Sequence, residues 1–240
     1  MSRYFIELSY KGTAYAGFQI QQNANSVQAE VENAMKVYYR QPFVLTGSSR
    51  TDAGVHALQN FFHFDTDTIV EDASYHLNAI LPRDIVIKRI FSVPEDMHAR
   101  FSATGRHYRY FIYRQKNPFL EDRGYYFPFP LDMDLLNQAA AILLEYADFT
   151  SFSKRNTQTK TKLCAIKISN WSLEGDTMMY TVAANRFLRG MVRGLVGTML
   201  QAGRGRISLE QFREIIEARD CTKADFSAPA QGLFLSKVDY

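Results

Sequence analysis

His107–Tyr113, "HYRYFIY", is the stretch on which the architecture turns. Tyr108, Tyr110 and Ile112 alternate with His107, Arg109 and Phe111, the two-residue period of a β-strand. An order of elements is complete before this strand, and a similar order starts with it. Upstream, Arg3–Tyr10 alternates with Tyr4, Ile6, Leu8 and Tyr10 on one face and Arg3, Phe5, Glu7 and Ser9 on the other. Asn25 or Ser26 then caps a helix whose Val27, Val31, Ala34 and Tyr38 follow the 3.6-residue period. A short strand is predicted around Pro42–Leu45, another around Asn60–Phe64, a helix in "EDASYHLNAIL" and a strand in "IVIKRIFSV", so that the first hundred residues read β-α-β-β-α-β.

Downstream of the turning strand, "DMDLLNQAAAILLEY" is helical with Asp132 or Asp134 as its cap. Strands follow in "KLCAIKISNWSL" and "MMYTVAAN", then helices over Arg186–Gln201 and Ser208–Arg219, and a closing strand in "GLFLSKVDY". Hairpins outnumber βαβ units in both halves, which makes α+β the fold class, with one half over 1–103 and the other over 104–240.

Several function classes are disfavoured by composition. The 240 residues are 46% hydrophobic, enough for substantial cores, while 28 Lys plus Arg against 25 Asp plus Glu leave a net charge of only +3. Cys164 and Cys221 share no metal-ligand spacing and read as free thiols of a reducing compartment. The five histidines show neither HxxxH nor HExxH, so no metal is expected. The N-terminus lacks the apolar core of a signal peptide and no run is long enough to span a membrane, which points to the cytoplasm. "GTAYAGFQ" puts Phe18-Gln19 where a P-loop needs Lys and Ser or Thr, which argues against a nucleotide cofactor.

Three stretches carry candidate chemistry. "GSSRTDAGVHA", Gly47–Ala57, is a turn-rich loop that holds Arg50, Asp52 and His56 between apolar runs. An aspartate is ordinarily ionised at pH 7, and on such a loop it is a nucleophile, a general base, or only the acceptor that closes a turn. On the helix predicted from Arg186, Arg186, Arg189 and Arg193 fall at i, i+3 and i+7 beside a stripe of Gly190, Gly194 and Gly197 that lets another backbone approach. A guanidinium among buried neighbours needs a specific partner, whereas Arg186 and Arg189 can equally reach solvent. "ARFSATGRHYRYFIY" interleaves Arg100, Arg106 and Arg109 with aromatics, the pairing of phosphate clamp and stacking surface that recognises unpaired nucleotides; a sheet with tyrosine in its core is the plainer alternative. "SFSKRNTQTKTK" sets Lys154, Arg155, Lys160 and Lys162 in one loop, either a solvated surface or a phosphate-binding arm.

Taken in order, "GSSRTDAGVHA", "HARFSATGRHYRYFIY", "FLRGMVRGLVGTML" and "GLFLSKVDY" resemble the tRNA pseudouridine synthase A family over nearly the whole chain, and "SYKGTAYAGFQIQQNANSVQ" is similar to that family's first motif. The resemblance implies two related ferredoxin-like α+β halves with largely antiparallel sheets joined around a central basic cleft. It implies isomerisation of uridine to pseudouridine at positions 38, 39 and 40 of the tRNA anticodon stem-loop, by a homodimer that uses neither cofactor nor metal. Asp52 then matches the catalytic aspartate, Arg193 the arginine paired with it, Tyr108 the tyrosine stacked on the target uracil, Arg50 the arginine associated with the flipped nucleotide, and Leu233 the C-terminal segment lining the pocket. Arg106, Arg109, Arg189, Lys154, Arg155, Lys160 and Lys162 become candidates for the RNA backbone. The chain departs from the family pattern at Lys11 (usually Asp), Phe18 (usually Trp), Ser49 (commonly Gly) and Leu58-Gln59 (usually Gly-Gln). A tRNA-binding protein without the chemistry, or a synthase acting on another RNA, remain the alternatives.

Overall fold

The computed structural model describes residues 1–68, 70, 72–155, 159 and 161–240. The fold is α+β and largely antiparallel, and it divides into two compact units, Met1–Thr104 with Phe234–Tyr240, and Gly105–Leu233. Among the described residues no helix is long and apolar enough to cross a membrane.

In the first unit the strand order is β4 (Ile85–Val93), β1 (Ser2–Tyr10), β3 (His56–Thr66) and β9 (Leu233–Asp239, from Phe234 onward). β1 runs antiparallel to both β3 and β4, whereas β9 lies parallel to β3, with His56 opposite Phe234. The first helix, α1 (Val27–Tyr39), begins where Ser26 Oγ accepts from Ala29 N at 3.3 Å. Its buried stripe is Val27, Val31, Ala34 and Met35; Tyr38, expected on that stripe, is instead 39% exposed.

The strand predicted at Pro42–Leu45 lies further on, as β2 (Thr46–Gly47) against β3. Phe43 and Leu45 do alternate inward around an exposed Val44. Among the described residues no strand pairs with Leu45, whose backbone groups are taken by side chains of α1: Glu32 Oε1 accepts from Leu45 N at 3.0 Å and Gln28 Nε2 donates to Leu45 O at 2.9 Å. A second α-helix of this unit is α2 (Ser74–Ile80).

In the second unit β8 (Thr177–Ala184) lies between β5 (Gly105–Tyr113) and β7 (Ile166–Glu174), antiparallel to both, and the short β6 (Tyr125–Tyr126) runs parallel to β5. Asp132 caps α3 (Met133–Ile142) through Oδ1, which accepts from Asp134 N and Leu135 N. Ser208 and Gln211 form a reciprocal capping box on α5 (Leu209–Glu217).

The helix predicted from Arg186 starts five residues later, as α4 (Met191–Gly203). Gly190 sits at φ +74° and ψ 0°, left-handed geometry that only glycine adopts cheaply, so the chain turns there instead of continuing a helical spiral. Arg186 and Arg189 therefore precede the helix, and the three-arginine stripe does not exist. Every α4 residue except Arg193 and Gln201 is buried. The close approach foreseen along the glycines occurs at Gly197, where a Cβ would overlap the carbonyl oxygen of Asp225.

Candidate active site

In the first unit the Gly47–His56 loop is held from several sides by buried polar groups. Asn60, on β3 and fully buried, donates from Nδ2 to Ser49 O at 3.0 Å and to the Tyr10 hydroxyl at 3.2 Å. That hydroxyl, at the end of β1, lies 2.8 Å from Thr51 Oγ1. Backbone bonds add Ser48 N to Phe61 O at 2.8 Å, Phe18 N to Thr51 O at 3.2 Å and Val55 N to Asp52 O at 3.1 Å, and Gly17 forms an antiparallel bridge with Asp52. His56 is 1% exposed, and its Nδ1 accepts from Gly12 N at 3.0 Å. A ring nitrogen that accepts from an amide carries no proton, so this bond selects the Nε2–H form and gives the histidine a positioning task. Thr51 and His56 are thus buried in the scaffold, leaving Asp52 half-buried and Arg50 exposed on an immobilised loop.

Of the positions that depart from the family pattern, Phe18 and Ser49 also belong to this scaffold. Phe18 stacks on Phe62 at 4.5 Å and on Tyr10 at 5.6 Å, filling with one aromatic the space beside Gly47. Gln59 ties β1 to the chain's end, Nε2 donating to Glu7 Oε1 at 2.9 Å and Oε1 accepting from Val238 N at 3.0 Å. Burial works against the charge of Glu7, yet bonds from Gln59 and Arg89 hold its carboxyl below the usual range. Lys11 is exposed, with its backbone N–H on Asp84 O at 2.8 Å.

In the second unit Tyr108 lies on β5 opposite Val182, 9% exposed, with its ring edge-on to Phe187 at 5.0 Å. Arg193 stands in the first turn of α4, where a cation opposes the helix dipole, and its Nε donates to Ala228 O at 2.6 Å. Tyr110 OH donates to the next carbonyl, Pro229 O, at 2.8 Å, so α4 and β5 together fix the segment that leads to the buried Leu233. Burial raises the Tyr110 phenol far above its usual value, keeping it a donor.

The basic candidates separate into distinct places. Arg106 and Arg109 lie three apart on β5 and so occupy opposite faces; Arg106 Nη1 donates to Asn185 O at 3.1 Å, while Arg109 is exposed opposite Thr181. Arg189 accepts at its carbonyl from Lys154 N at 3.1 Å, bringing the basic loop to the entrance of α4. Lys154, Arg155 and Lys162 line one cleft of about 400 Å³ together with Arg219 and Cys221, a free thiol. Arg219 was not singled out from the sequence, since it follows α5 by two residues and only tertiary packing brings it to that loop; its Nε lies 3.1 Å from Asp148 Oδ2. Lys160 lies outside the described residues.

Among the described residues no three His, Cys, Asp or Glu side chains gather as a metal site would require. The family model for tRNA pseudouridine synthase matches residues 8–102 and 139–240. Proteins named tRNA pseudouridine synthase A are similar throughout: 44% identity with that of Parabacteroides distasonis, covering 100% of this chain and 96% of the relative, and 46% with that of Porphyromonas gingivalis, covering 100% and 98%. The Staphylococcus aureus protein of that name is 35% identical over 98% of this chain and 91% of its own length.

Proposed function

Because the chain belongs to the tRNA pseudouridine synthase family, we propose that this isomerase converts uridine to pseudouridine at positions 38, 39 and 40 of the tRNA anticodon stem-loop, with Asp52 as nucleophile. The reaction breaks the N1–C1′ bond, turns the uracil and joins C5 to C1′; a proton leaves C5 and one arrives at N1. Asp52 attacks C1′ or C6, or assists a glycal intermediate. Arg193 is the second catalytic group, Tyr108 stacks on the uracil, Arg50 meets the flipped nucleotide and Leu233 lines the pocket. The base must leave its stack at a cost of a few kcal/mol. Phosphate contacts from Arg106, Arg109, Arg189, Lys154, Arg155, Lys160 and Lys162 offset that cost and make binding salt-dependent. On the same reading the enzyme acts in the cytoplasm as a homodimer without a cofactor.

The observation that carries this reading is the division of labour in the Gly47–His56 loop: Thr51 and His56 bond inward while Asp52, the loop's one acid, stays half-buried on a fixed backbone. The test is tritium release from tRNA transcripts carrying 5-tritiated uridine, with the modified positions mapped. Asp52→Asn should abolish release while tRNA binding persists. Wild-type release from outside the anticodon stem-loop would overturn the assigned positions, and release by Asp52→Asn at the wild-type rate would overturn the nucleophile.

A further inference from the structure

Arg50 also lines a cleft of about 220 Å³ in the first unit, whose walls include Phe18, Gln19, His98, Arg100 and Phe101 but not Asp52. This volume is below the range of pockets that enclose drug-sized ligands and suits one planar heterocycle. Among the described residues two guanidiniums line it, and no carboxylate does.

Phe101 is 77% exposed, so most of an aromatic side chain faces solvent at the cleft wall. It is nonetheless held in place. The His98 ring lies 4.3 Å from it, the Arg100 guanidinium 5.7 Å from its centroid, and Phe101 N donates to His98 Nδ1 at 3.3 Å. The turn beneath is closed by Ser102 N on His98 O at 2.9 Å and anchored by Arg3 Nη1 on Met97 O at 3.1 Å and Tyr240 OH on Ala99 O at 2.7 Å. Gln19, also exposed, has no hydrogen-bond partner for its carboxamide among the described residues, in contrast to Gln28 in the same cleft, which is engaged with Glu32 and Leu45. A fixed aromatic face, an amide with both donor and acceptor, and guanidiniums for phosphate are the chemistry that captures an unpaired nucleotide.

We propose that this cleft is a second nucleotide subsite, which takes the base of an unpaired nucleotide neighbouring the one that reacts. The base stacks on Phe101, Gln19 reads its edge, and Arg100 holds its phosphate. The proposal rests on the tRNA reading above and adds to it a point of substrate positioning away from the reacting base.

The test is steady-state tritium release from anticodon stem-loop RNAs in which a single abasic nucleotide is walked through the loop. On intact RNA, Phe101→Ala should raise KM roughly 5- to 100-fold, the range for loss of one base–aromatic stack. At one loop position the abasic RNA should cost the wild type a similar factor, and Phe101→Ala should lose nothing further on it. Phe101→Trp, which keeps a stacking face, should restore KM, and Gln19→Ala should relax the base preference at that position. A Phe101→Ala KM within twofold of wild type overturns the subsite, as does a loss that multiplies with every abasic position. A KM raised by Arg100→Ala but not by Phe101→Ala shows a phosphate contact alone and also overturns it. Absence of release by the wild type from any tRNA overturns the tRNA reading and the subsite together, so the two failures are told apart.

Discussion

The loop around Asp52 and the turn that opens α4 both combine arginine with closely spaced glycine, but they are held by different forces. The first is fixed by side-chain hydrogen bonds among buried groups: Asn60, Tyr10, Thr51 and His56. The second is fixed by backbone shape and contact, with Gly190 left-handed and Gly197 against the Asp225 backbone. A polar network tolerates no missing partner, because each group left behind is buried without water. A packed turn fails by overlap, and its cost depends on how far its neighbours can move.

Four measurements break or sharpen this contrast. Asn60→Leu should have the largest effect, about 3 kcal/mol of stability in urea unfolding, because Ser49 O and the Tyr10 hydroxyl lose a buried donor and Phe61 N an acceptor; kcat should fall as the loop loosens. A full-stability Asn60→Leu variant would show that the network is not what holds the loop. Gly197→Ala should cost about 2 kcal/mol by overlap with Asp225, read in the same melts, and a neutral result would mean that the segment carrying Asp225 yields freely.

The third measurement is a pH series on the face of β3 that carries His63. Burial chiefly, with His98 and Arg3 adding to it and Asp65 opposing, lowers the His63 imidazole to about 4, and its Nδ1 accepts from Ala99 N at 3.3 Å. The unfolded chain takes up this proton near 6.5 and the folded one only near 4, so stability is complete above pH 6.5 and declines as pH falls toward 4. The displacement sets an upper limit of about 3.4 kcal/mol, which solvent screening of the partly shielded imidazole reduces to a decline on the order of 1.5 kcal/mol, and His63→Gln should flatten it; an unchanged slope in that variant would exclude His63 as its source. Gly190→Ala should be the mildest change, at about 1 kcal/mol, since it strains one left-handed residue beside a flexible Lys154 side chain.

Much of the architecture was legible because its signals are local. The strand signal of Ile85–Val93, the alternation in His107–Tyr113 and the caps sought at Asn25 or Ser26 and at Asp132 or Asp134 all depend on residues a few positions apart, and Ser26 and Asp132 are the ones that cap. Where local pattern misled, a competing contact was responsible. The apolar run from Phe187 to Leu200 extends through Gly190, and periodicity alone cannot register that one residue takes a positive φ. Pro42–Leu45 has strand-like alternation, yet Glu32 and Gln28 take the bonds a neighbouring strand would need.

The site divides along the same line. By itself the sequence determined the α+β class, the family, and the candidate groups Asp52, Tyr108 and Arg193, because capping, side-chain period and motif order are written in neighbouring residues. Only the tertiary structure decided that His56 is a scaffold residue, that Asn60 and Tyr10 secure the loop carrying Asp52, that Arg219 joins the basic loop, and that β9 returns to lie parallel to β3. These depend on contacts between residues 11 to nearly two hundred positions apart, and a buried hydrogen bond at that range leaves no periodic trace in either partner's surroundings.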